Sequence, residues 1–198
     1  MTIWHWYHVF AVDGWERIVG EHLDALESSG LSVNLRLGVV GTVEARQAVI
    51  DRCRQRMQTD VVAEADEGFE QVTLSALKAD PSDAVLYAHT KGASVPNDFN
   101  DAWRRSMTRA VVGRWRECIE LLETHEAVGP HWLTKEAWPQ WVEIPYFGGN
   151  FWWTRREVIE RLPEPRTDGR YWAEAWLGQA NPTVYDLTPG WPGWGSFR

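Results

Sequence analysis

Strand and helix signals alternate through the first half of this chain, and that alternation restricts the fold more than any other feature. Tyr7 to Val12 reads as a buried strand that stops at Asp13-Gly14. Apolar residues then recur at Ile18, Val19, Leu23 and Leu26, a helical period over Trp15 to Ser28 that Gly30 ends. Val33, Leu35, Leu37 and Val39 alternate through 32–40, a strand pattern. Thr42 is an N-cap candidate for a helix over Val43 to Met57. A short strand over Asp60 to Glu64, a short helix over Thr73 to Ala79 and an apolar strand over Ala84 to Ala88 follow. Strands separated by helices predict an α/β fold with a mainly parallel sheet covered by helices. The 198 residues suit one domain. No glycine-rich phosphate fingerprint follows the first strand, which argues against a classical dinucleotide site.

The pattern changes after a polar loop at 92–102. One long helix is predicted from Asp101 to Thr124, with Trp103, Met107, Val111, Trp115, Ile119 and Leu122 facing the core. Arg105, Arg109 and Arg116 share another, solvated face. Val128-Gly129 reads as a strand end, 131–143 as an irregular loop, and Ile144 to Trp153 as a strand-like aromatic run broken by Gly148-Gly149. Thr154 is expected to cap a helix from Arg155 to Leu162, which Pro163 ends. A short helix around Tyr171 to Leu177 and a tail from Asn181 to Arg198, wrapping the surface or forming a flap, complete the chain. Of the 14 tryptophans, 3 precede residue 103 and 11 lie from there onward, so the two halves are expected to do different work.

The net charge of −8 argues against a broad nucleic-acid coat, which needs a Lys/Arg surface. No apolar run approaches the ~20 residues of a membrane span, and the first residues lack a secretory signal, so a cytoplasmic location is expected. Cys53 and Cys118 lie in predicted helices without metal-like spacing and read as buried free thiols.

Chemistry concentrates at strand ends. The strand Ala84 to Ala88 delivers His89-Thr90-Lys91 before Gly92. In open α/β sheets ligands bind beyond the carboxyl ends of strands. A histidine, a hydroxyl and an ammonium there suit an anionic group, with Arg104 as a second cation. Asp13-Gly14, ending the first strand, falls on the same edge. Glu70 with Thr73 marks a helix N-terminus that offers either a cap or backbone N–H groups to a ligand. Gly148-Gly149 allows close backbone approach, Asn150 offers a donor and an acceptor, and Trp152 offers a stacking wall. Glu174, set among aromatics in Trp172-Ala173-Glu174-Ala175-Trp176, is the first candidate for a general base and Asp168 the second.

Taken together, Leu86-Tyr87-Ala88-His89-Thr90-Lys91-Gly92, Trp103-Arg104 with Met107, Phe147-Gly148-Gly149-Asn150-Phe151-Trp152-Trp153 and Glu174-Ala175-Trp176-Leu177-Gly178 resemble a family of small bacterial and viral glycosyltransferase-like proteins. They are more distantly similar to the rhamnan-synthesis glycosyltransferases. The resemblance implies a GT-A-like fold across 1–198, with a nucleotide-binding half over about 1–124 and an acceptor half with tail over about 125–198. It implies transfer of a sugar from a nucleotide-diphosphate sugar, a UDP-sugar first among them, to a hydroxyl of a glycan or other acceptor. Asp13 would then sit near base or ribose with Glu70 and Thr73 close by, and His89, Thr90, Lys91 and Arg104 would meet the diphosphate. Gly149, Asn150 and Trp152 would meet sugar or acceptor. Glu174 would be the base if the enzyme inverts, and would only orient the sugar if it retains. His-Thr-Lys stands where such folds carry an Asp-x-Asp metal motif, which leaves open whether a divalent cation, Mg²⁺ or Mn²⁺, is used with His89 as one ligand. Two other readings remain: a non-catalytic sugar- or nucleotide-binding module of the same fold, and a glycosyltransferase acting on a DNA base, which the charge of −8 disfavours.

Overall fold

The computed structural model describes residues 2–140 and 142–189. The chain builds β1 (Ile3–Phe10), α1 (Trp15–Ser29), β2 (Asn34–Val40), α2 (Val43–Arg54), β3 (Thr59–Ala65), α3 (Gln71–Ala79) and β4 (Ala84–His89). Then come α4 (Asp98–Thr108), α5 (Trp115–Leu121), β5 (Ala127–Gly129), β6 (Trp132–Leu133), β7 (Tyr146–Phe147) and β8 (Trp152–Arg155). The described part ends with α6 (Arg156–Arg161), α7 (Arg170–Glu174) and β9 (Val184–Asp186). Seven of the described strands form one sheet in the order β3-β2-β1-β4-β8-β5-β9, and β6 pairs with β7 apart from it. The strands of the large sheet run parallel except β8, which is antiparallel to both neighbours. The expected α/β class, a mainly parallel sheet between helices, is therefore what the chain adopts.

Both faces of the sheet are covered. Leu23 and Leu26 of α1, Val49 of α2 and Met107 of α4 pack on Tyr7, Val9, Leu35 and Leu37. On the other face Leu74 and Leu77 of α3, Val158 and Ile159 of α6 and Trp176 pack on Trp6, Val85, Tyr87 and Trp152. Alternate residues of β1 and β4 thus enter opposite cores, as the strand period requires. Gly38 of β2 lets α3 approach closely, since a Cβ there would lie 1.9 Å from Thr73 Oγ1.

Several boundaries differ from the sequence reading. The first strand begins at Ile3, not Tyr7, because Trp4 to Trp6 pair with both β2 and β4. The predicted helix over 101–124 is broken: α4 ends at Thr108 and Arg109–Gly113 form a π-helical turn. Side chains hold the carbonyls of that turn, since Trp153 Nε1 donates to Val111 O at 2.8 Å and Cys118 Sγ approaches Ala110 O at 3.7 Å. Such insertions distort a helical ladder. Thr154 lies inside β8 and donates to Glu126 O, so it caps nothing, and α6 begins at Arg156. Thr42 does cap α2, accepting from Ala45 N at 3.3 Å. Of the tail, residues 181–189 are described and add β9 to the sheet edge, whereas 190–198 lie outside the described residues. Cys53 and Cys118 are free and buried.

Candidate active site

Parallel strands present their carboxyl ends on one edge, and reversed β8 brings its amino end there too. The loop after β1, residues 89–94 after β4, and Gly149-Asn150 before β8 therefore converge. Three adjoining hollows form a cleft along this edge. One lies between Phe10, Gly68, Phe69, Glu70, His89, Thr90 and Arg170. The next, of about 510 Å³, is lined by Lys91, Gly92, Ser94, Asn100, Tyr146, Arg170, Tyr171 and Glu174. The third runs past Asp13, Ala93, Ser94 and Pro96, placing exposed Asp13 at the far end of the same cleft.

Lys91 is the principal cation of this cleft. Its side chain is only 10% exposed, its Nζ stands 4.3 Å from the centre of the Trp103 ring, and Glu174 Oε1 lies 3.9 Å away. Glu174 also has Arg170 Nε at 3.8 Å, one helical turn back on α7. Neither contact is close enough for a hydrogen bond, so the carboxylate sits between two cations without being locked to either. Arg170, which borders two of the three hollows, was not legible in the sequence. Its only signal was the i,i+4 spacing to Glu174.

Beneath the cleft lies a buried polar network with Glu70 at its centre. Glu70 Oε2 accepts from Asn150 Nδ2 at 2.5 Å and from Tyr87 Oη at 3.1 Å. Asn150 also donates to Ala173 O, and its Oδ1 accepts from Trp152 Nε1 at 2.6 Å. His89 Nε2 donates to Gly149 O at 2.9 Å, which leaves Nδ1 of the neutral ring as an acceptor, 3.5 Å from Glu70 Oε1. Burial, reinforced by the Lys91 charge, pushes the His89 imidazole down to about 3. Gly149 and Asn150 both carry positive φ, 89° and 58°, so this turn is held in the left-handed region.

Several expected roles are corrected by this geometry. Trp152 cannot offer a stacking wall: it is 1% exposed and its ring lies on Tyr87, centroids 4.9 Å apart. The Asn150 amide is spent on Glu70, Ala173 and Trp152, so it braces the cleft floor instead of meeting a sugar. Glu70 makes no side-chain cap for α3 and points inward. Thr73 is fully buried and bonded to His8 Nδ1 at 2.8 Å, out of reach of a ligand. Thr90 Oγ1 accepts from Phe10 N, fastening β1 to β4. Arg104 turns away from the cleft edge: it donates to Asp101, Glu21 and the Lys91 carbonyl. Asp168 is exposed and held by Arg166, whose hydrogen bonds keep its carboxyl below the usual range. Of the three arginines expected on one solvated face, Arg105 binds Glu21 and Arg116 lies over Trp115.

Residues 89–91 offer a divalent cation no fitting donor set. They supply an imidazole already bonded to Gly149, a hydroxyl bonded to Phe10 N and an ammonium. Among the described residues no group of three or more His, Cys, Asp or Glu converges as metal ligands.

Residues covering 94% of this chain superpose on 58% of TarS 1-349 of S. aureus, with TM-score 0.53 and 12% identity, a likeness of fold. The bifunctional IspDF of Campylobacter jejuni matches with TM-score 0.49 and 8% identity over 95% of this chain and 50% of that one. A candidate nucleotide-diphospho-sugar transferase of Desulfovibrio desulfuricans G20 matches with TM-score 0.45 and 13% identity over 95% and 80%. The chain thus spans 58% of the first of these and 50% of the second. No curated protein matches it. No described helix is long and apolar enough to cross a membrane. Family membership is explicit: the model described as Domain of unknown function (DUF8361) matches residues 6–191, and the chain belongs to that family.

Proposed function

We propose that this chain is a glycosyltransferase that moves a sugar from a nucleotide-diphosphate donor, a UDP-sugar first, to an acceptor hydroxyl. The observation that carries the reading is Glu174 standing between Lys91 and Arg170 in the carboxyl-edge cleft. In the free chain the two cations neutralise Glu174. A diphosphate competes for both, and its charge suits a buried ammonium beside a half-exposed guanidinium. Glu174 is then left as an unshared carboxylate next to the reacting sugar. It takes the acceptor hydroxyl proton as the new carbon–oxygen bond forms. The bond to the diphosphate breaks, the electron pair leaves with it, and Lys91 and Arg170 stabilise that charge. In this reading Asp13, at the far end of the cleft, meets the nucleoside. The shared fold with TarS supports the class of fold alone.

The test is calorimetric titration of UDP, GDP and their sugar conjugates, with and without Mn²⁺, followed by a transfer assay on the wild type and Glu174→Gln. Metal-independent diphosphate binding, with turnover lost in the variant, is expected. Binding of a sugar nucleotide without hydrolysis or transfer would instead favour a non-catalytic binding module, a reading supported by His-Thr-Lys in place of a carboxylate pair. Absence of any nucleotide binding would end both.

A further inference from the structure

A second cavity, of about 450 Å³, opens on the other side of His89, between α1 and the π-helical turn. Apart from His89, none of its lining residues borders the cleft. Its floor is Tyr7, which is 1% exposed and whose hydroxyl has no hydrogen-bond partner among the described residues. Native folds rarely leave a buried hydroxyl unpaired without a use. The Tyr7 ring lies flat on His22, centroids 4.4 Å apart at 12°. His5 Nδ1 faces the Leu86 carbonyl at 3.1 Å and must donate to it. His5 Nε2 therefore accepts from His22 Nε2 across 2.7 Å, which leaves His22 Nδ1 as an acceptor.

The walls at Ile18 and Ala25 are apolar, and the rim carries Arg105 and Arg109. Glu21, the carboxylate of the rim, is shared by Arg17, Arg104 and Arg105. Arg109 makes no ion pair among the described residues and is exposed. The π-helical turn itself is a feature that recurs at functional sites. A cavity of this size, apolar in its walls with a few polar groups at fixed points, has the build of a small-molecule site.

We propose that this cavity is a second ligand site, for a small organic anion with a compact apolar body, its charge at Arg109 and a polar atom at the Tyr7 hydroxyl. The site stands on its own residues and does not depend on the glycosyltransferase reading.

Calorimetric titration of the full chain with 4-hydroxybenzoate, against neutral 4-hydroxybenzamide, tests it. Saturable one-to-one binding of the anion is expected, with the amide at least tenfold weaker. Arg109→Glu should weaken the anion at least tenfold, and Ser28→Trp, an exposed rim position, should block it. Tyr7→Phe removes only the hydroxyl and should weaken binding severalfold while the melting temperature holds or rises. No saturable binding through the millimolar range would overturn the proposal. So would unchanged affinity in either rim variant, or a fall in melting temperature with Tyr7→Phe, which would reveal an internal partner for the hydroxyl.

Discussion

Asn150 donates to Glu70 across 2.5 Å, 80 residues apart in sequence, and so ties the turn before β8 to the N-cap of α3 under the cleft. Glu70 also holds Tyr87 Oη, and both donors are buried. Glu70→Ala should therefore strand two buried donors and cost about 2–6 kcal/mol, since each unsatisfied group costs about 1–3. Glu70→Gln, with its amide oxygen in place of Oε2, keeps an acceptor for both and should cost less. Urea denaturation of both variants checks the order.

Lys91 and Glu174 face each other but should fail differently. Lys91→Met removes the buried cation, and donor diphosphate affinity should fall about tenfold to a hundredfold, the worth of a charge-assisted contact. Glu174→Gln should leave that affinity within a factor of a few and lower turnover by about 10²–10⁴, the usual contribution of a general base. Arg170→Ala, at a half-exposed position, should weaken donor binding less than Lys91→Met. Separate binding and single-turnover measurements read the split.

Two glycine substitutions separate space from backbone conformation. A Cβ on Gly178 would lie 1.7 Å from the Pro145 carbonyl oxygen, a backbone atom that cannot step aside. Gly178→Ala should be severely destabilising, by about 3 kcal/mol or more, through overpacking. Gly14 has φ +83° with nothing within 4 Å, so Gly14→Ala should cost only the left-handed conformation, about 1–2 kcal/mol. Thermal unfolding of the pair should show the larger drop at Gly178.

Acid should destabilise the fold through its buried histidines. Burial pushes His5, His8 and His131 down to about 4 and His89 to about 3, and His22 lies well below its usual value. In the unfolded chain each titrates near 6.5. Above that pH both states are neutral there and stability is intact. As pH falls below it, the unfolded chain binds protons that the folded chain refuses. Each such histidine then removes about 1.4 kcal/mol per pH unit until its folded value is reached. Urea midpoints between pH 7.5 and 5 should fall steeply, and His8→Gln should make the fall shallower.

The parallel framework was legible because its period is local: Leu35, Leu37 and Val39 alternate, and Leu23 and Leu26 repeat helically, whatever the rest of the chain does. The edge residues His89, Thr90 and Lys91 followed from strand polarity. What side chains do there was not legible, because it depends on partners far away in sequence. Trp152 reads as a stacking surface until Tyr87 covers it, and Asn150 reads as a ligand contact until Glu70 takes its amide. The break after Thr108 was hidden for the same reason, since Trp153 approaches the Val111 carbonyl from another strand. Arg170 gave no apolar period and no cluster, and only the fold carries it to Lys91's side of the cleft.

The reversed direction of β8 bears on how this scaffold can change. Because β8 enters the sheet from the cleft edge, the connection from β5 to β8 begins and ends at that edge, and it carries Tyr146 and the Gly149-Asn150 turn with it. Lengthening a surface connection costs little chain entropy, growing only with the logarithm of its length. Insertions between Leu133 and Tyr146 would therefore recontour the mouth of the cleft while every strand of the large sheet keeps its register. Under the proposed transferase reading, acceptor preference is the property such a scaffold can vary most cheaply, and the Glu70–Asn150 bond is what it must keep.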